Sequence, residues 1–387
     1  MTRKYMAGFL AALLGLSLAG CAAPEESAES PAAGSSVQSR TADPQETAAS
    51  AASNALDAAD VREEDASAAA EPSPQLVRPE EVGIRPEQSE DYTEGVLRSS
   101  AVHVRDGSLY LAYKDQLASG PVAEGGGLDE AEVLMEIMPT IASLAGDEDT
   151  LYLATNDGIF ALPADALSGA ELTSGRLLTE LDIATNPFYI WSDWLFFLFD
   201  GTVYVVPKAG GSEAILAEDV SDFQVTNRGL FCTSADGALT FLSFADGESE
   251  TLIQDGCSGR ITFLGDTAYM TTGRAEPVIR AFNAEERQPL EIELRHILSA
   301  THGVWTEPGR LICQTEDGQV LLYDIGAGSE TRLGRFNMPY YEAGELADSV
   351  LYNMSGDKLS WMHLTDGTVQ EAMLPELLAA DAEQSAQ

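Results

Sequence analysis

The chain has 387 residues, with 63 acidic against 21 basic side chains and a formal charge of −42 at neutral pH. Such a balance excludes nucleic acid as a partner and disfavours adsorption to anionic head groups, because both repel an acidic surface. The length admits two ordinary domains or one large repeat domain, and the four cysteines are too few for a disulfide framework.

At the N-terminus, Arg3 and Lys4 precede an apolar run from Met6 to Leu18 and then small residues. Residues 1–20 therefore read as a secretory signal peptide, too short and wrongly flanked to span a membrane. Leu18-Ala19-Gly20-Cys21 resembles the lipobox of bacterial lipoproteins. The resemblance implies cleavage before Cys21, lipidation of its thiol, and a lipid-anchored position on the extracytoplasmic face of a cell membrane. The remaining cysteines, Cys232, Cys257 and Cys313, allow at most one disulfide. Cys232 and Cys313 fall inside apolar strand patterns and read as small buried residues.

Residues 21–95 follow as a linker rich in Ala, Ser, Glu and Pro, with no aromatic before Tyr92. This composition buries too little surface to offset its ordering entropy, so the expectation is a disordered acidic tether with a reach of about 50 Å. Residues 76–88, LVRPEEVGIRPEQ, are too charged and Pro-rich for a strand and are assigned to the same linker.

From residue 96 to 374 a pattern repeats. Apolar pairs stand at Leu109-Tyr110, Leu151-Tyr152, Leu195-Phe196, Leu230-Phe231, Ala268-Tyr269, Leu311-Ile312 and Leu351-Tyr352, separated by 35 to 44 residues. That is the length of a four-stranded propeller blade. The clearest copy parses into strands over 188–192, 194–199, 202–208 and 212–217, with Asp200-Gly201 and Gly210-Gly211 at turns. Asp-Gly between apolar runs signals a hairpin, because both central residues tolerate positive φ. Asp157-Gly158, Asp236-Gly237, Asp246-Gly247, Asp317-Gly318 and Asp366-Gly367 read the same way. Middle strands such as LFFLF at 195–199 are apolar on both faces, as double burial between neighbouring blades requires. The expected fold is all-β: a propeller of about seven four-stranded antiparallel blades, followed by an acidic tail over 375–387.

The apolar-aromatic pairs, the Asp-Gly hairpins and the closing strand GGSEAIL at 210–216 resemble the blades of bacterial propeller lipoproteins of the YWTD and TolB type. The YWTD tetrapeptide itself is absent; Tyr189-Ile190-Trp191-Ser192-Asp193 comes nearest. The Trp-ending repeats of PQQ-type propellers are absent too. The resemblance implies fold and leaves function open.

Motifs for chemistry are sparse. HExxH, GxSxG, a P-loop and a dinucleotide fingerprint do not occur, and Gly256-Cys257-Ser258-Gly259 has the wrong spacing for a nucleophile elbow. His103, His296, His302 and His363 lie in different repeats, and the acidic turn at 146–149 lacks the spacing of a calcium loop, so neither a metal nor another cofactor is expected. Aromatics remain as candidates for ligand contact. Trp191 and Trp305 stand near the ends of first strands and Tyr340 opens the last blade, while Trp194 and Trp361 read as inter-blade packing. Arg274 and Arg280 are added because basic residues are scarce. The expected function is a non-catalytic module, membrane-anchored through Cys21, whose propeller face binds a protein or carbohydrate partner. The alternative is a propeller enzyme acting on envelope or extracellular glycan or peptide.

Overall fold

The computed structural model describes residues 75–378 except 137–139, 170, 184–186, 272–277, 295, 297, 299–303 and 337–343. Cys21 and most of the expected linker lie outside the described residues, as do Arg274, His302 and Tyr340.

Each sequence repeat folds into one twisted sheet of four consecutive antiparallel strands. Seven such blades, over 102–136, 141–179, 188–217, 222–253, 258–293, 304–335 and 344–373, form a seven-bladed β-propeller. The first strand of every blade is innermost. In the third blade Phe188–Trp191, Trp194–Phe199, Thr202–Pro207 and Ala214–Ala217 pair in order, and Phe196 and Phe197 are both fully buried although they point to opposite faces. Double burial of this kind is what removes the period of two from the sequence. In five blades the pairing with the outermost strand shifts register near the start of the third strand, an irregularity of the kind that increases twist toward the rim.

The turns differ from the expectation in an instructive way. Of the Asp-Gly pairs named above, Asp200-Gly201 alone makes a two-residue hairpin with both φ values positive, 47° and 74°, between Phe199 and Thr202. Asp106-Gly107 joins it with φ of 50° and 73°. At Asp236-Gly237, Asp317-Gly318 and Asp366-Gly367 the glycine alone has positive φ, because these loops are longer. There the carboxylate accepts hydrogen bonds within its own turn, as Asp366 does from the Thr368 N–H at 2.9 Å.

Blades pack through apolar side chains. The ring closes where Val102, Leu109 and Leu111 of the first blade meet Tyr352, Leu359 and Trp361 of the seventh. The Trp361 indole N–H donates to the Gly125 carbonyl at 3.2 Å, and Lys114 pairs with Asp357 at 2.8 Å. Gly127 permits this approach: a Cβ there would lie 2.2 Å from the Trp361 ring. Trp361 thus packs, as its sequence context predicts. Cys232, Cys257 and Cys313 are all buried free thiols. Burial pushes the Cys232 thiol up to about 12, so it is inert at neutral pH.

The stretch from Leu76 to Tyr92 corrects the linker boundary. Leu76 bridges Ile215 at the rim of the third blade, Pro79–Val82 form one helical turn, Ile84 is fully buried in the core of the third and fourth blades, and Tyr92 stacks on Phe263. Composition over the whole linker hides these few anchors. The turn at 227–229 clamps this strap. Asn227 Nδ2 donates to the Asp91 carbonyl at 2.7 Å, Arg228 donates to the Tyr92 hydroxyl at 3.1 Å and the Ser89 carbonyl at 2.9 Å, and its guanidinium sits 4.4 Å over the Tyr92 ring.

Candidate functional site

Beyond the strap the chain enters the central channel before it begins the first blade. Leu97–Arg98 pair antiparallel with the innermost strand of the third blade, Leu97 opposite Ile190 and Arg98 opposite Tyr189, and Ser100 bridges Leu144 of the second blade. The buried hydroxyl of Ser99 accepts from the Phe188 N–H at 2.8 Å and from Ser143 at 3.1 Å. This segment fills the side of the channel next to the second and third blades. The opposite side keeps a cavity of about 250 Å³.

That cavity is built by strand register. In each blade the second residue of the apolar pair faces a partner on the innermost strand. Four of these partners line the cavity: His103 opposite Tyr110, Thr262 opposite Tyr269, Trp305 opposite Ile312 and Glu345 opposite Tyr352. Arg260, two residues before Thr262, Arg98 and Thr306 complete the polar lining.

Hydrogen-bond donors predominate here. Arg260 Nε and Nη1 and Trp305 Nε1 are buried without a partner in the protein. The Arg260 guanidinium lies over the Trp305 ring, 5.4 Å from its centroid. Burial, with the nearby Arg98 charge, draws its pKa below the usual guanidinium value, but the group stays charged at neutral pH. Nε2 of His103 accepts from the Gly146 N–H at 3.1 Å, which assigns the ring proton to Nδ1 in the neutral imidazole. Burial, assisted by Arg105, lowers the His103 pKa to about 4. Its Nδ1 lies 3.9 Å from Glu345 Oε1, too far for a hydrogen bond. Burial raises the Glu345 pKa to about 7 against the opposing influence of the Ser100 hydrogen bond and the charges of Arg260 and Arg98.

The named aromatics part company. Trp305 is at the cavity, but it is 3% exposed and its ring is covered by Arg260, so it offers an indole N–H and no open face for stacking. Trp191 is 2% exposed and stacks on Phe244 at 5.4 Å in the core of the third and fourth blades. It belongs to the packing and not to the channel lining. Trp194 packs against the same core. Arg280 donates to the Asp255 carbonyl, away from the channel. His296 lies 3.4 Å from Glu330 on the sixth blade, and the acidic turn at 146–149 uses Asp147 to accept from the Thr150 N–H at 3.0 Å and to pair with Lys208 at 2.7 Å. Among the described residues no group of three or more His, Cys, Asp or Glu converges as a metal site. Arg98, Arg260 and Glu345 escaped the sequence reading. For Arg260 and Glu345 a charged residue at or near the partner position of the apolar pair, inside an innermost strand, was the available signal; Arg98, on the threaded segment, carried none.

No family model matches the sequence, and no curated protein matches it either. Among solved structures, BamB from Moraxella catarrhalis is similar at 15% identity and a TM-score of 0.45, over 70% of this chain and 87% of that one. Apo AztD from Citrobacter koseri is similar at 12% identity and a TM-score of 0.46, over 71% and 86%. The N-terminal domain of Nup159 is similar at 13% identity and a TM-score of 0.43, over 74% and 97%. At these identities the likeness concerns architecture alone.

Proposed function

We propose that the chain is a non-catalytic binding module, a lipoprotein held to the extracytoplasmic face of a bacterial membrane through Cys21, with a propeller akin to the YWTD and TolB type that recognises a protein or glycan partner. One observation supports binding over catalysis most strongly. Among the described residues the Ser100 hydroxyl lies 3.1 Å from the Glu345 carboxyl Oε2, yet Ser100 is 1% exposed and its hydroxyl also meets the Val102 carbonyl. A nucleophile must reach its substrate, and this one, itself part of the threaded segment, is buried. The donors of Arg260 and Trp305, by contrast, are left for a ligand. The −42 charge supports a partner other than nucleic acid.

The reading is tested with the full chain, tagged at its C-terminus and recovered from the detergent-solubilised envelope of its source. It predicts a partner retained above the level of an unrelated acidic propeller, and no conversion of envelope glycans or peptides by the purified chain. Turnover of such a substrate would overturn it. Anchoring is tested separately: Cys21→Ala should move the chain from the membrane pellet to the soluble fraction and abolish palmitate labelling. Labelling that persists in that variant would refute the lipobox assignment.

A further inference from the structure

We propose that the channel cavity binds the carboxylate of a small ligand, received by the Arg260 guanidinium and the Trp305 indole N–H. The inference rests on the reading of the propeller as a binding module and names the chemistry of what it binds. Three kinds of observation carry it.

The first is the imbalance of donors over acceptors. Arg260 Nε and Nη1, Trp305 Nε1 and His103 Nδ1 are buried without partners in the protein, and all three residues line one cavity. Glu345 is the ionisable acceptor among the lining residues, and one of its oxygens already receives the Ser100 hydroxyl. A ligand matching this lining must bring acceptor oxygens, and a guanidinium pairs with a planar carboxylate through charge-assisted hydrogen bonds.

The second is the covered face of Trp305. A neutral sugar held by stacking needs an open aromatic face, but Arg260 occupies that position 5.4 Å from the ring centroid. The third is size. A cavity of about 250 Å³ falls below the roughly 300–1,000 Å³ of pockets that hold drug-sized ligands, so it suits a single residue-sized unit or the tip of a longer chain. A hexuronate unit of a glycan and the C-terminal carboxylate of a peptide share this chemistry.

Glu345 supplies an internal competitor. It faces Ser100 and Arg98 on the threaded segment, His103 on the first blade and Arg260 on the fifth. When ionised it draws on the positive charge of Arg260 and repels an incoming carboxylate; when protonated it does neither. Affinity therefore falls as pH rises through the neutral range, and Glu345→Gln removes most of that dependence.

The experiment is calorimetric titration of the full chain in detergent micelles, at about pH 6 and about pH 8. The probes are methyl glucuronide against methyl glucoside, and N-acetyl-Ala-Ala free acid against its amide. The expected result is binding of one acid at least about tenfold tighter than its neutral analogue, with a similar loss in Arg260→Met. Trp305→Phe, which keeps the ring and removes the N–H, should weaken binding severalfold at an unchanged melting temperature. The acid that binds identifies the source as glycan or peptide. Binding of neither acid, equal binding of the neutral analogues, or wild-type affinity in a folded Arg260→Met variant would each overturn the inference. If those results came with a protein partner captured equally by wild type and Arg260→Met, the binding-module reading would stand without the carboxylate site. Conversion of a bound acid to product would instead overturn the non-catalytic reading and leave the site intact.

Discussion

Trp191 and Trp305 both sit on innermost strands, of the third and sixth blades, but at different register positions: Trp305 faces Ile312, the second residue of its apolar pair, whereas Trp191 ends its strand opposite Trp194. In the structure Trp191 stacks on Phe244 among apolar neighbours, whereas Trp305 lies under a guanidinium with its N–H at a polar cavity. The two regions do different work with the same residue type. The core of the third and fourth blades spends every large side chain on packing and even recruits Ile84 from the strap. The channel wall on the far side leaves donors without partners, which a fold tolerates only where a ligand or solvent meets them.

The contrast breaks most visibly at Trp191. Trp191→Ala should cost about 3–5 kcal/mol through lost transfer and cavity terms, read as a large fall in melting temperature, while carboxylate binding per folded molecule stays at the wild-type value. Unchanged stability with lost binding would move Trp191 to the site and undo the comparison. Arg228→Ala comes next, at about 2 kcal/mol, because the side chain donates to both Tyr92 and Ser89. Its signature is local: faster amide exchange over residues 87–100 with the blades still protected.

Glu345→Gln sharpens the channel side and is expected to stabilise. The folded-state pKa of about 7 stands above the ordinary carboxylate value of 4.5, so the native state holds this proton more tightly than the unfolded chain. Stability from this group is full below about pH 4.5 and is lost as pH rises through 7. The Gln variant should therefore match wild type near pH 4 and exceed it near pH 8 by up to about 3 kcal/mol, the free energy of a shift from 4.5 to about 7. Equal stability at both values would mean that Arg260 and Arg98 compensate the ionised carboxylate fully.

How much of this was legible in the sequence follows from what each feature depends on. Blade number was legible because every blade solves the same local problem, an apolar second strand buried on both faces, and writes it as a pair such as Leu195-Phe196 at a spacing near 40 residues. Turn type was legible at Asp200-Gly201 and not at Asp317-Gly318, because loop length, and not the dipeptide, decides which residues take positive φ. The strap was hidden in an average: Ile84 and Tyr92 anchor it, but the acidic and Pro-rich residues between them dominate the composition. The cavity was hidden for another reason. Arg98, Arg260, Trp305 and Glu345 come from four distant stretches, and only ring closure and the threading of residues 97–100 bring them together.

The measurement that tests the central claim most directly is a high-resolution structure of the full chain with the acid that binds in calorimetry. The account predicts its carboxylate oxygens within hydrogen-bond distance of the Arg260 guanidinium and Trp305 Nε1, in the cavity facing Glu345. A carboxylate bound elsewhere on the propeller, with Arg260 paired to Glu345 across a closed channel, would contradict it.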